Sequence, residues 1–348
     1  MLLSDYFGII EFRGAMENPE IIEKLNQAGL VGRSGSRFPT GKKWELFLLP
    51  SLKAKKSYVV CNAAEGELDC FKDEYILRNY SDEALNGLKI ALTTFKNSRG
   101  IIYLKQEYFQ KYDSNLKEKV NKIGLNIRLV KKTGGYLSGE ETVLIKAIEN
   151  QRLEPSQKPP YPTSFGIDGY PTLINNIETF YHISKISKNE YNKTRFYSIE
   201  GNIENSGVYE FDENETVFNI LKKSNNLPQY DFFVVSGGAL SGEVLLKTEL
   251  NKSIKGIGSI LVLKLRVESA IKILKQLSEI YLRENCDKCV PCREGIYRLN
   301  GFFESGYIND GRLKEIIEVL KNSSFCQLGK SAGQLIEQIY QKIYLKQK

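Results

Sequence analysis

Between Ser57 and Val130 the apolar pattern changes period several times, and this constrains the fold more than any other feature. Ser57–Asn62 is short, apolar and rich in β-formers. Residues 73–96 then carry Tyr75, Ile76, Leu77, Leu85, Leu88, Ile90 and Leu92 at helical spacing. Ile101–Leu104 reads as a second buried strand, 106–123 as a helix and 125–130 as a third strand. Parallel strands need crossover connections, usually helical, and a β-α-β-α-β run supplies two of them. The expectation is an α/β domain, a Rossmann-like parallel sheet with helices on its faces, over residues 1–190. Five prolines at 155, 159, 160, 162 and 171 predict an irregular loop near its end. Short strands at 196–200, 208–211, 232–236 and 260–265 around a helix at 217–224 predict a small α+β domain of β-grasp type over 191–267. Helical stretches at 268–284, 293–305, 311–322 and 332–345 predict a C-terminal four-helix bundle over 268–348.

A chain of 348 residues, 41% hydrophobic and 26% charged, suits a globular protein of this plan. No apolar run approaches the roughly 20 residues that span a bilayer, so direct membrane insertion is not expected. Met1–Gly14 carries Asp5 and Glu11 with no basic leader, so it does not read as a signal peptide. The net charge of +7 is mild and interleaved. Its densest run, Lys53, Lys55 and Lys56, reads as a solvated face, and no nucleic-acid partner is expected. A single histidine, His182, argues against multi-histidine metal sites and a serine–histidine hydrolase.

The cysteines carry the most specific chemistry. Cys286, Cys289 and Cys292 form C-x-x-C-x-x-C, and Cys326 follows at a distance. In a reducing compartment such thiols converge on a soft metal centre rather than pair as disulfides. The spacing favours a [4Fe–4S] cluster over a four-cysteine zinc site, which more often shows two separated C-x-x-C knuckles. Cys61 and Cys70 read as packing residues.

Four further segments are polar and rich in glycine or asparagine. Gly32–Trp44 combines Gly32, Gly35 and Gly41 with Arg33, Arg37, Lys42 and Lys43, a composition suited to phosphate. In Gly134–Glu141, Ser138 and Glu141 fit a capping box; Glu140 and Glu141 are expected to meet sugar hydroxyls or an amide, and Tyr136 either stacks on a ring or belongs to the core. Asn62 and Glu65 follow the first strand, where open α/β sheets bind ligands. Asn175 and Asn176 can donate to phosphate or cap the next helix.

In this order the segments 32–44, 61–73, 135–142, 158–179, 286–295 and 325–328 resemble the NADH-binding flavoprotein subunit of respiratory complex I. Relatives of that family occur in NAD-linked hydrogenases and formate dehydrogenases. The resemblance implies an FMN domain, a β-grasp domain and a helical bundle with a [4Fe–4S] cluster. It implies that FMN is held by Gly32, Arg33, Gly35, Lys43, Asn62, Glu65, Tyr136, Gly139, Glu140, Asn175, Asn176 and Thr179. NADH is then held by Phe38, Lys43, Glu67, Glu141, Lys158 and Tyr161, and the cluster by Cys286, Cys289, Cys292 and Cys326. The implied activity is that of an electron-input, diaphorase-type subunit of the cytoplasm. It takes hydride from NADH onto FMN and delivers single electrons through the cluster to a thioredoxin-like [2Fe–2S] subunit and further partners. Ser34 and Arg37 stand where the family usually has glycine, Ala64 where it has aspartate, and Leu46 where it has an aromatic residue. These departures motivate an alternative, an electron relay that has lost NADH use and serves only protein partners such as ferredoxin.

Overall fold

A computed structural model of the chain describes residues 20–347; the Met1–Gly14 segment lies outside the described residues. The chain divides into two compact units. One comprises residues up to Glu65 with Lys72–Gly134 and Ser138–Arg195; the other comprises Gly66–Phe71, Gly135–Leu137 and Phe196–Lys348.

The first unit is built on the expected parallel sheet. Strands β1 (Ser57–Ala63), β2 (Ser98–Leu104), β3 (Ile127–Lys131) and β4 (Thr172–Asn176) lie in the order β3-β2-β1-β4. Every neighbouring pair is parallel. Apolar runs buried on both faces are what parallel strands require, and Val59, Val60, Ala63, Ile101, Tyr103 and Leu104 are all buried. On one face Val60, Ala64, Ile101, Tyr103 and Ile174 pack with Leu144, Ile145 and Ala147 of helix Glu141–Ile148. The helix expected over 73–96 is instead two, Lys72–Asn79 and Ser81–Thr94. The break is at Tyr80, whose backbone (φ −137°, ψ 26°) leaves the helical region. Helix Gln106–Ile123 ends on Gly124 in the left-handed conformation, as expected of a glycine stop.

The second unit contains a five-stranded mixed sheet and the C-terminal helices. Strands β5 (Thr194–Gly201), β6 (Gly207–Asp212), β7 (Phe232–Ser236), β8 (Glu243–Leu246) and β9 (Ser259–Lys264) lie in the order β6-β5-β9-β7-β8. β5 and β9 run parallel, and β7 is antiparallel to both its neighbours. Helix Val217–Lys223 packs Val217, Ile220 and Leu221 against Tyr197, Phe232, Val234, Ile260 and Val262, the grasp arrangement. Four main helices follow, Val267–Glu284, Val290–Ser305, Asp310–Ser323 and Gln327–Ile339.

Candidate functional site

The strand order reverses its direction of growth between β1 and β4, and open α/β sheets bind ligands beyond the carboxyl ends of strands at such a point. Asn62 of β1 lies in register with Asn176 of β4, and Cys61 with Asn175. The Asn176 side chain caps helix Ile177–Ser187 by accepting the Glu178 N–H at 3.0 Å. Its amide also donates to the Asp73 carboxylate at 2.8 Å and to the Asn62 carbonyl at 3.1 Å. With its amide oriented to suit both neighbours, Asn175 accepts from the Trp44 indole and donates to the Ile174 carbonyl, each at 3.1 Å.

Beside these strand ends sit two lysine–glutamate pairs. Lys43 donates to the Ile174 carbonyl at 2.7 Å and pairs with Glu141. Lys158 donates to Glu140 at 2.8 Å and lies 3.8 Å from Glu141. Glu140 also caps helix Glu141–Ile148, accepting the Thr142 and Val143 N–H groups at 2.8 and 3.1 Å. The expected capping box at Ser138 and Glu141 is therefore not formed. Tyr136–Gly139 winds as a 3₁₀ turn, so the helix begins three residues after Ser138 and the cap falls to Glu140. Burial alone would raise the Glu141 carboxyl, but Lys43 and Lys158 overrule it and hold the group below the usual range. Burial works against the Lys158 charge too, yet Glu140 and Glu141 raise it. Glu140 and Glu141 thus both face lysines at the strand ends.

Other expected ligands turn inward. Arg33 is 1% exposed, and its guanidinium donates to the Tyr191 hydroxyl at 2.8 Å and the Thr194 carbonyl at 3.1 Å. Its backbone N–H donates to the buried Thr179 hydroxyl at 3.0 Å. Glu65 accepts the Asp73 N–H at 3.2 Å and the Tyr108 hydroxyl at 2.9 Å. Beneath the strand ends, Lys72 pairs with Asp73 and, at 3.2 Å, with the fully buried Glu178. Burial would raise Glu178, but Lys72, His182, Arg195 and Arg33 hold it well below the ordinary carboxylate range. In Asp73 the balance tips the other way: burial raises it against the pull of Lys72 and Asn176. Sequence reasoning named none of Lys72, Asp73, Glu178 or His182 as a buried network. Glu178, following the cap Asn176, was the available signal.

The front loop stays open. Among the described residues no atom lies within 4 Å of where a Cβ would project from Gly35 or from Gly139, while the Gly32 N–H is tied to the Phe38 carbonyl at 2.9 Å. Phe38 and Tyr161 are 42% and 57% exposed, aromatic faces free to take a ring, and Leu46 is also exposed. Among the described residues, helix Thr40–Lys53 has no side-chain cap, and the buried Thr40 hydroxyl at its first position finds no hydrogen-bond partner. An uncapped helix start with Lys43 one turn in suits an anion. Open glycines, paired amides, an anion-ready helix start and exposed aromatics fit a phosphate-bearing flavin and a dinucleotide. Ala64, by contrast, joins the core and contributes no polar side chain.

The remaining expected residues belong to the second unit. Glu67 accepts from the Tyr136 hydroxyl at 2.9 Å and from the Leu240 N–H at 2.9 Å. Cys286, Cys289, Cys292 and Cys326 are free thiols at two helix starts: Cys289 precedes Val290–Ser305 and Cys326 precedes Gln327–Ile339. Burial pushes the Cys292 thiol to about 12, with added contributions from Cys289, Cys326 and Cys286, so the four share one field. Among the described residues no three such side chains close on a common point. The donor set, sulfur alone, still fits an iron–sulfur centre. Cys61 and Cys70 are buried, as expected of packing residues.

Residues 25–185 match the family described as the Nuo51 FMN-binding domain. Residues 272–344 match the NADH-ubiquinone oxidoreductase-F iron-sulfur binding region. The F subunit of NADH-quinone oxidoreductase from Aquifex aeolicus is 30% identical over 94% of this chain and 85% of that protein. The NADP-reducing hydrogenase subunit HndC of Solidesulfovibrio fructosivorans is 29% identical over 94% of this chain and 76% of that one. Among solved structures, an NAD+-reducing [NiFe]-hydrogenase in the H2-reduced state superimposes with a TM-score of 0.85 at 25% identity. That match covers 94% of this chain and 62% of the hydrogenase chain.

Proposed function

This chain belongs to the family of NADH-quinone oxidoreductase F subunits, and from that premise we propose that it is the electron-input subunit of a multi-subunit oxidoreductase, oxidising NADH with FMN and a [4Fe–4S] cluster. The observation that carries the reading is the reversal point of the parallel sheet, where Asn62 and Asn176 lie in register beside the Lys43–Glu141 pair. When bound, FMN supplies hydride acceptance and the cluster supplies single-electron transfer.

The chain's own residues bind, orient and balance charge. Asn62, Asn175, Asn176, Gly32, Gly35 and Gly139 would line the flavin, with the Thr40–Lys53 helix start and Lys43 available to its phosphate. Lys43 is held by the Ile174 carbonyl, so its ammonium stays at the strand ends when Glu141 is drawn to a ligand. Glu140, Glu141 and Lys158 join Lys43 in a partly exposed group whose charges cancel, so the hydroxyls of a dinucleotide can exchange with these pairs without leaving an excess charge on the protein side. Phe38 and Tyr161 would take the adenine between them. The inward Arg33 and Thr179 act from beneath: they fix the loop backbone at residue 33, and Arg33 helps balance Glu178. Cys286, Cys289, Cys292 and Cys326 would ligate the cluster. No helix among the described residues is long and apolar enough to cross a membrane. The reading extends to a peripheral place on the cytoplasmic side of a complex, with a thioredoxin-like [2Fe–2S] subunit as a neighbour.

Protein reconstituted with FMN, iron and sulfide should bleach its flavin on anaerobic addition of NADH and reduce ferricyanide catalytically. A tightly bound flavin that NADH and NADPH both leave oxidised would overturn the NADH reading in favour of a relay between proteins.

A further inference from the structure

Glu67 is an unusual carboxylate. It is 7% exposed, and no lysine or arginine pairs with it among the described contacts. Three neutral donors hold it instead: the Ser241 hydroxyl at 2.5 Å, the Leu240 N–H at 2.9 Å and the Tyr136 hydroxyl at 2.9 Å. Loop 237–242 can reach it because Gly238 sits at φ +123°. A Cβ there would come within 2.6 Å of the Glu67 carboxylate and 2.5 Å of the Ser241 oxygen. The loop is anchored in turn. The Leu240 carbonyl accepts the hydroxyl of the fully buried Tyr281 at 2.7 Å. Tyr281 stands on helix Val267–Glu284, and Glu284 on the same helix accepts the Tyr136 N–H at 2.6 Å. Both Leu240 and Tyr136, two of the three donors to Glu67, are thus tied to the helix that leads into Cys286.

We infer that Ser241 and Tyr281 are positioning residues for Glu67, fixing the carboxylate through which the chain recognises hydroxyl or amide groups of the dinucleotide. The inference rests on the assignment of Glu67 to the dinucleotide site. Hydrogen bonds to an ionised acceptor are among the strongest available, and each one lost leaves burial less opposed. Burial pushes the Glu67 carboxyl up, while Ser241, Leu240 and Tyr136 pull it back. The titratable groups facing it are Tyr136 and Tyr281, and burial raises both well above the ordinary tyrosine value. Both stay neutral through the assay range and add no charge beside Glu67. Removing the Ser241 hydroxyl takes away one of the three groups that oppose burial and raises the carboxyl further.

The test uses the FMN- and cluster-loaded protein, with KM and kcat for NADH measured against ferricyanide between about pH 6 and pH 9. Ser241→Ala should raise KM about tenfold with kcat within about twofold, and move the acid limb of the KM profile to higher pH. Ser241→Thr should restore both, and Tyr281→Phe should give a smaller shift in the same direction. Glu67→Gln should raise KM and abolish the pH response. If Glu67→Gln does so while Ser241→Ala and Tyr281→Phe leave KM and the pH profile unchanged, the positioning role is wrong. If Glu67→Gln itself leaves KM unchanged, the dinucleotide role of Glu67 falls and takes the inference with it.

Discussion

Arg37 occupies backbone space that favours glycine, with φ at 48°. An arginine in this region stores strain of order 1 kcal/mol. Arg37→Gly should raise stability by about 1 kcal/mol, less the entropy a glycine adds to the unfolded chain, read as a higher urea midpoint with unchanged slope. A lower midpoint would mean that the arginine side chain contributes more than its backbone costs. Glu178 poses the opposite case, a buried charge that neighbours hold ionised. Its folded carboxyl titrates below its unfolded one, so its contribution is complete above the unfolded value of about 4.3 and is lost as pH falls through the depressed folded value. Glu178→Gln should lower stability at neutral pH by up to about 3–5 kcal/mol, because Lys72 keeps only Asp73 as its paired carboxylate, and should flatten the acid limb of the stability curve. Chemical denaturation at several pH values checks both. Residue types in these loops were legible in the sequence because phosphate, sugar and thiolate chemistry demand particular groups. Their direction was not: Arg33 and Lys43 are both basic residues of one glycine-rich segment, yet one is buried against Tyr191 and the other stands at the strand ends.

Strand β4 shows where patterning runs out. Thr172–Asn176 is only five residues long, follows a proline-rich loop and ends in two asparagines, so it read as a cap rather than a strand. It nevertheless lies beside β1 and creates the reversal point on which the site depends. β1, β2 and helix Gln106–Ile123 were legible because long periodic runs leave little choice. The single helix expected over 73–96 failed because apolar spacing continues across Tyr80 while the backbone does not. Beside that break, helices Ser81–Thr94 and Ile177–Ser187 meet at Gly87, where a Cβ would lie 1.9 Å from the Phe180 carbonyl oxygen. Backbone cannot swing away as a side chain can, so Gly87→Ala should cost about 1–3 kcal/mol in urea unfolding, with bound flavin weakened as β4 and Asn176 shift. Helix Glu141–Ile148 depends on a cap that is also a site residue. Glu140→Ala should lose about 1 kcal/mol of stability through its two N–H bonds, and Glu140→Gln less. If both variants weaken NADH binding equally while only alanine destabilises, cap and ligand roles are separable.

At the scale of the whole molecule, the grasp sheet and the C-terminal helices fall within one compact unit. The Gln338 side chain accepts the Val244 N–H at 2.7 Å, and Lys342 donates to the Val244 carbonyl at 2.7 Å while pairing with Glu249 at 2.8 Å. These bonds join residues nearly a hundred positions apart, which is why apolar periodicity marked the helices but not their attachment to β8. The cysteines lie in the same unit, whereas the residues expected to line the flavin lie, apart from Tyr136, in the other. Cofactor loading should therefore be separable by mutation. Cys326 stands at the start of helix Gln327–Ile339, where the Leu328 and Gly329 N–H groups donate to its sulfur. A serine can take over those two bonds, so Cys326→Ser should leave the helix in place and remove only a soft ligand. Iron should drop from about four atoms per chain to a small fraction, and acid-labile sulfide with it, while FMN content and NADH bleaching of the flavin persist. Electron delivery to a one-electron acceptor that draws on the cluster should fall in proportion to the lost iron. Stoichiometric zinc in the unsubstituted protein isolated from its host, with no labile sulfide, would instead make these thiols a structural clamp and leave the flavin without an electron exit in this chain.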